Sequence, residues 1–290
     1  MIPDIPTKPA NASGPAPDFP WPNNAKCAAF PGFDVDAETA WLEKDPTHVD
    51  RLVTLSFGGY EARVGVPKLL EHLRAINVKS TFFIPGWVIE TYTKMCEDIV
   101  RDGHEVAHHG YLHKRPDPTS FDVDVEEFDR AMDSFKRHLG VKPVGYRAPS
   151  GENYDRLMKH IRDQGILYLS SLRDDIRPYR HVMQDGSAGP IELPINASFD
   201  DWLYGLSNRI SPRPMFPKEH VLSIWNDELD QTREWGGLVS MVMHPQVSGR
   251  PMRFGIFRDF MARAQSYGDV WIATGEQIAR HFIQQEQKRG

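Results

Sequence analysis

The stretch VGVPKLLEHLRAINVKSTFFIPGW, residues 64–87, holds one helix-to-strand alternation. Val66, Leu69, Leu70 and Leu73 recur at i, i+3, i+4 and i+7, the spacing that puts apolar side chains on one helix face. STFFI, residues 80–84, follows as a short apolar run suited to a strand buried on both faces. A helix returning directly into a buried strand is half of a βα repeat, so the fold turns on whether the pattern recurs.

It recurs on both sides. Strands are expected at 26–33, 104–109, 144–148, 166–172, 191–195, 238–244 and 270–274, and a second helical stripe runs through Val125, Phe128, Met132, Phe135 and Leu139. Gly103, Gly140 and Gly165 each precede an expected strand, where a helix C-cap takes a residue tolerant of positive φ. Repeated βα units point to a parallel sheet, either open or rolled up. Eight strands in a chain of 290 residues favour the rolled form, an α/β fold of the (β/α) barrel type. Pro31 lacks an N–H at the end of the first strand, so the barrel is expected to be distorted or incompletely closed there.

Composition narrows the function classes. With 40% hydrophobic and 26% charged residues, and no apolar run near the ~20 residues of a membrane span, neither a membrane protein nor a disordered chain is expected. Thirty-four basic against 40 acidic residues, a net charge of -6, argues against a nucleic-acid partner. Cys27 and Cys96 are too few for a disulfide framework. Residues 1–24 carry prolines at 3, 6, 9, 15, 17, 20 and 22 and read as an extended arm ahead of a single domain over 25–290. That arm lacks the apolar stretch of a secretory signal, which gives the cytoplasm as the expected location.

The chemistry-bearing residues sit at strand ends. Asp34 and Asp36 follow the first strand, His109 and His113 the third, Arg147 the fourth, and His244 closes LVSMVMH. A parallel barrel opens all its strand C-termini on one rim, so these residues would converge. In FDVDAE the two aspartates point the same way while Val35 turns aside, and paired carboxylates call for a cation, an arginine or a raised pKa. His109 and His113 form an H-x3-H pair with Gly110 permitting a tight loop; with Asp36 they make two imidazoles and one carboxylate, an open metal site with room for water. His108 faces away by alternation. Arg147 reads as the cation that holds Asp34 ionised, and His244 as either a buried structural histidine or a general acid. Trp41, Trp87 and Trp202 lie near expected rim loops, where they could stack on a ring-shaped substrate or simply pack the core.

With these motifs in place, the chain resembles the NodB-homology polysaccharide deacetylases. FDVDAE, HGYLH, YRAP and SMVMHP match four family motifs in family order, and the likeness spans residues 21–282. It is closest to an intracellular branch of peptidoglycan-deacetylase-like and cyclic-imide-hydrolase-like proteins. Two features depart from the broader pattern: Val35 separates the aspartates, and Ser150 stands where extracellular sugar deacetylases carry an aromatic. The resemblance implies a distorted (β/α) barrel of about seven parallel strands, one divalent ion of the zinc type (cobalt, nickel or manganese serving as alternatives) and often a homo-oligomer.

The expected reaction is hydrolysis of a non-peptide amide in an N-acylated sugar or a small cyclic imide or ureide. Asp36, His109 and His113 hold the metal, Asp34 is the base, Arg147 its partner and His244 the acid. A backbone N–H near Ser150 faces the oxyanion, and Asp174 or Asp175 in LRDDIRPY orients His244. Two other classes compete: a non-haem iron oxygenase, whose facial triad uses the same ligand types, and a noncatalytic binding protein on the hydrolase scaffold.

Overall fold

The structure, a computed structural model, describes residues 19–208, 210 and 212–289. Its strands are β1 (Cys27–Phe30), β2 (Gly32–Asp34), β3 (Thr81–Ile84), β4 (Glu105–His108), β5 (Gly145–Tyr146), β6 (Tyr168–Leu169), β7 (Tyr179–Val182), β8 (Ala188–Glu192), β9 (Leu238–Ser240) and β10 (Val270–Ile272). A ladder runs β2-β3-β4-β5-β6-β8, parallel throughout, and β1 pairs in parallel with β9 on one side and β10 on the other. β1 and β2 are one stave broken at Pro31, whose carbonyl still accepts from Thr81 N at 3.1 Å. Single parallel bridges, Phe33 to Met243 and Asp200 to Val242, carry the ring from β2 past β9 to the segment after β8.

Seven staves, β1/β2, β3, β4, β5, β6, β8 and β9, thus form a distorted barrel in which one bridge holds the seam between β8 and β9. The expected break at the first strand is there, one residue earlier than a simple end: the chain resumes pairing at Gly32, where a Cβ would lie 2.7 Å from Met241 O. Gly103, Gly140 and Gly165 all have positive φ, at 74°, 65° and 94°, as their cap positions require.

One strand was not foreseen. β7 lies antiparallel on β8 at the edge of the sheet, and the connection turns at Asp185 and Gly186, with Met183 N donating to Ser187 O at 2.9 Å. The Asp-Gly dipeptide is a hairpin signal, but YRHV alternates too weakly to read as a strand.

Phe30, Phe83, Tyr168, Ile191 and Leu193 share one buried cluster with small residues of β1 and β4. Phe30 meets Phe83 and Tyr168 edge-on, with centroids 6.1 and 6.4 Å apart. Each such fully buried side chain contributes about 1.5–3 kcal/mol relative to exposure. A second cluster gathers Phe33, Phe82 and Phe257 with the buried stripe Val66, Leu69, Leu70 and Leu73 of the helix Val66–Ala75. That helix continues the helix Leu52–Tyr60 through a π-turn at Glu61–Gly65, which the apolar periodicity does not reveal.

Of the proline-rich arm expected over 1–24, residues 1–18 lie outside the described residues. From Phe19 onward the chain rests on the barrel: Phe19 stacks on Phe282 at 5.7 Å, and Trp21 Nε1 donates to Gly236 O at 2.9 Å. Among the described residues no helix is long and apolar enough to cross a membrane.

Candidate active site

Arg147 marks the floor of a cavity at the strand C-termini. Its guanidinium lies 4.1 Å over the Phe83 ring, donates from Nη1 to Asp34 Oδ1 at 2.6 Å, and donates from Nε and Nη2 to Ser170 O and Oγ at 3.1 and 3.0 Å. A buried charge needs such partners to offset its desolvation. Asp34 is held in turn by its own N–H, which donates to Met243 O at 2.7 Å, while Val35 is buried and turned into the core.

Asp36, His109 and His113 each turn a donor atom toward a common point, all three atoms within 4.8 Å of one another, and all three residues are buried. His109 Nδ1 contacts Arg147 O at 2.7 Å, so that nitrogen carries the proton and Nε2 presents its lone pair toward Asp36 Oδ1 at 3.3 Å. His113 Nε2 lies 3.6 Å from the same oxygen. Burial lowers the His113 pKa to about 4 against the pull of Asp36, favouring the neutral, ligating imidazole. For His109, burial is outweighed by Asp34 and Asp36, and its pKa is raised. Asp36 Oδ1 is buried without a well-aligned donor of its own. An orphaned carboxylate oxygen faced by two imidazole nitrogens at 3.3 and 3.6 Å fits a divalent cation in the middle.

The HGYLH loop takes its shape from the backbone. Gly110 and His113 have φ of 73° and 59°, and Tyr111 N and Leu112 N both donate to Glu127 Oε2, at 3.1 and 2.8 Å. A left-handed histidine is uncommon and costs of order 1–3 kcal/mol, so a clamp such as Glu127 is needed to hold it. His108 points away, with Nε2 at 3.0 Å from Phe128 O and Nδ1 accepting from Gly110 N.

His244 reaches the site from the loop after β9, with Nε2 3.8 Å from Asp36 Oδ2. Its Nδ1 bonds Asp201 Oδ1 at 2.7 Å, and Asp201 also accepts from His244 N and from Ser248 N and Oγ. Burial opposes a charge on His244, but the Asp201 hydrogen bond and the surrounding carboxylates prevail, and its pKa stands well above the ordinary value. The expectation that Asp174 or Asp175 orients His244 is therefore corrected. Asp174 accepts from Tyr179 Oη at 2.6 Å, and Asp175 caps its own turn through Ile176 N and Arg177 N. Both belong to the turn that leads into the β7–β8 hairpin, whereas Asp201 begins a short helix, Asp201–Gly205, packed beside the His244 loop.

The tryptophans separate. Trp202 lines the cavity, its ring centroid 4.9 Å from that of His244. Trp41 is fully buried behind it, donating from Nε1 to Gln246 Oε1 at 3.1 Å, and Trp87 packs against Tyr92 with centroids 6.4 Å apart. Trp41 and Trp87 are core residues here, and a substrate-stacking role is withdrawn for both. Ser150 lines the cavity in a left-handed conformation, φ 56°. The whole cavity measures about 270 Å³.

Sequence reading missed two further carboxylates. Asp200 lines the cavity and caps the same short helix, accepting from Trp202 N at 3.0 Å; burial raises its pKa to about 6. Glu61, on the π-turn, accepts from Ala37 N at 2.9 Å and from Gln246 N and Nε2 at 3.3 and 3.0 Å, joining the residue after Asp36 to the loop after His244. Burial and the nearby Asp36 charge push its pKa well up. Ala37 has φ 47°, and Gly58 lets the helix pass: a Cβ there would stand 2.3 Å from Ala37 C. Neither acid lies in a motif, and only the fold brings them to the site.

A distorted (β/α) barrel with acids, histidines and an arginine converging on its C-terminal rim defines a class, the barrel amidohydrolases of carbon–nitrogen bonds other than peptide bonds. The chain belongs to the polysaccharide deacetylase family. The family model named Polysaccharide deacetylase matches residues 46–169. A candidate polysaccharide deacetylase from Mycobacterium smegmatis has a crystal structure similar to this one, with 37% identity, TM-score 0.89 and coverage of 94% of this chain and 96% of that one. The peptidoglycan deacetylase of Helicobacter pylori is 27% identical over 293 residues, covering 89% of this chain and 97% of its own length. The allantoinase PuuE shares the fold at 20% identity, TM-score 0.82, covering 96% and 97% of the two chains.

Proposed function

We propose that the protein is a metal-dependent hydrolase that cuts an amide-type carbon–nitrogen bond in a small substrate. The observation that carries this reading is the group Asp36, His109 and His113 with one orphaned carboxylate oxygen, flanked by the ion pair Asp34–Arg147 and the dyad His244–Asp201. A divalent cation held by that triad would supply Lewis acidity, bringing the pKa of a bound water from ~15.7 toward ~7.

The chain's own groups then have distinct work. Asp34, paired with and fixed in direction by Arg147, accepts the proton of the attacking water. The backbone N–H at Ser150 donates to the oxyanion that develops on the carbonyl. His244, charged and anchored by Asp201, gives its proton to the departing nitrogen, so that water is split between acyl and amine products. A 270 Å³ cavity lies near the lower edge of ligand sites and suits one ring, either an N-acylated monosaccharide or a cyclic imide, more than a polymer lying in a groove.

The reading is tested by stripping the protein with a chelator and returning zinc, cobalt, nickel or manganese one at a time. Turnover on a panel of N-acetyl sugars, imides and ureides should vanish with the metal and return with it, with no oxygen consumed. Activity that needs oxygen and a reductant would instead support an oxygenase, and activity indifferent to chelation would remove the metal from the scheme.

Glu61 gives a second, structural check. Glu61→Gln replaces one acceptor oxygen with an NH2 that faces an N–H, loosening either Ala37 or the His244 loop. Outer-shell changes of this kind cost ~10- to 100-fold in metal affinity, so zinc titration against a competing chelator should show a loss in that range. Unchanged affinity would mean that Ala37 keeps its left-handed turn without the carboxylate.

A further inference from the structure

We infer that the mouth of the cavity is an anion subsite formed by Lys44, Arg173 and Arg213, and that the substrate carries a carboxylate close to the amide that is cut. The inference rests on the hydrolase reading above and specifies its substrate class.

All three cations line the cavity, and among the described residues none is ion-paired with a carboxylate. Several arginines elsewhere on the molecule are: Arg74 with Asp102, Arg180 with Glu286, Arg233 with Asp269, Arg263 with Asp230. Arg213 goes further, since its Nη1 is buried with no hydrogen-bond partner, a state that costs free energy until an acceptor arrives. Lys44 Nζ sits 5.0 Å over the Trp41 ring and 5.3 Å over Trp202, placing its charge beside the ring that faces His244. Burial and the charge of Arg213 act on Lys44 in the same unfavourable sense, opposed by Glu43 and Asp36. Two like charges brought together at a cavity mouth ask for an anion between them.

Arg173 is set by the Ser150 loop. Gly151 has φ 72° and a Cβ there would lie 2.9 Å from Arg173 Nη2, so the guanidinium lies flat against the backbone next to the proposed oxyanion donor. It spends one donor on Ser171 O at 3.2 Å and leaves the rest free. None of the cavity's acids forms an ion pair with these cations: Asp34 is matched by Arg147, Asp36, whose charge reaches Lys44 only at a distance, belongs to the triad, and Asp200 caps Trp202 N. A neutral N-acetyl sugar would leave three cations uncovered, whereas a carboxylate on the ring or its side chain would take two or more charge-assisted bonds.

Matched probes decide it. Hydantoin-5-acetic acid and its neutral amide form one pair; N-acetylmuramic acid and N-acetylglucosamine form another. Binding of each to the full chain is measured by calorimetry, both metal-free and zinc-loaded, and turnover is followed separately. In at least one pair the carboxylate member should bind about tenfold or more tightly in both metal states, and that ratio should fall toward one in Arg213→Gln and in Arg173→Gln. Equal affinities within both pairs would overturn the subsite. So would a preference confined to the zinc-loaded protein, which would mean coordination to the ion, or one undiminished in the variants. Absence of hydrolysis alongside an intact binding preference would sink the hydrolase reading and leave the anion subsite standing.

Discussion

His113→Ala is expected to release the metal. It removes one of three ligand atoms and leaves Asp36 Oδ1 facing His109 alone at 3.3 Å. Even outer-shell losses reach ~100-fold in affinity, so loss of a ligand should exceed that, and activity should fall to that of the chelator-stripped protein. Chelator competition with zinc reads the affinity, and a thermal melt reads whether the fold survives. Survival is expected, because His113 Nδ1 has no hydrogen-bond partner to lose and Glu127 continues to clamp the loop through Tyr111 and Leu112. Zinc bound as tightly as in the parent chain would mean that the triad is not the metal site.

Asp34→Asn separates chemistry from binding. The amide oxygen can still accept from Arg147 Nη1, but it cannot take a proton from water. Loss of a general base costs ~10²- to 10⁴-fold in rate, so kcat should drop by that factor while zinc affinity stays within a few-fold. Asp34→Ala should add a stability loss of ~3–5 kcal/mol, because it leaves the buried guanidinium of Arg147 without its carboxylate partner at 2.6 Å. A wild-type rate in Asp34→Asn would pass the role of base to another carboxylate, and Asp200, which lines the same cavity, would be the first to test.

The strand ends were legible because two local periods write themselves into a chain. Apolar runs and helical stripes located the seven staves and the flanking strand β10, and a parallel barrel carries every strand C-terminus to one rim. Asp34, Asp36, His109, His113, Arg147 and His244 converge for that reason alone. Val35 between the two aspartates already indicated that both face one side, and Val35 is indeed buried opposite them.

Illegible were the partners that arrive from other elements. Asp174 and Asp175 stood out in sequence as an adjacent acidic pair, yet they serve their own turn, while the single-bridge seam between β8 and β9 brings Asp201 to His244. Trp41, Trp87 and Trp202 looked alike as rim aromatics, and only the packing around each tells which faces the cavity. Glu61 sits on a π-turn, an irregularity with no signature in apolar spacing, and reaches Ala37 because Gly58 removes the side chain that would have kept the helix away.

By itself, then, the amino-acid order determined which residues can ligate, donate or accept protons and on which rim they gather, since residue chemistry and strand period are local properties. The tertiary structure decided which carboxylate supports which histidine, which tryptophan lines the cavity, and that three cations at its mouth have no ion pair among the described residues. Those outcomes depend on distances between segments far apart in the chain, set by barrel closure and helix packing rather than by any neighbouring residue.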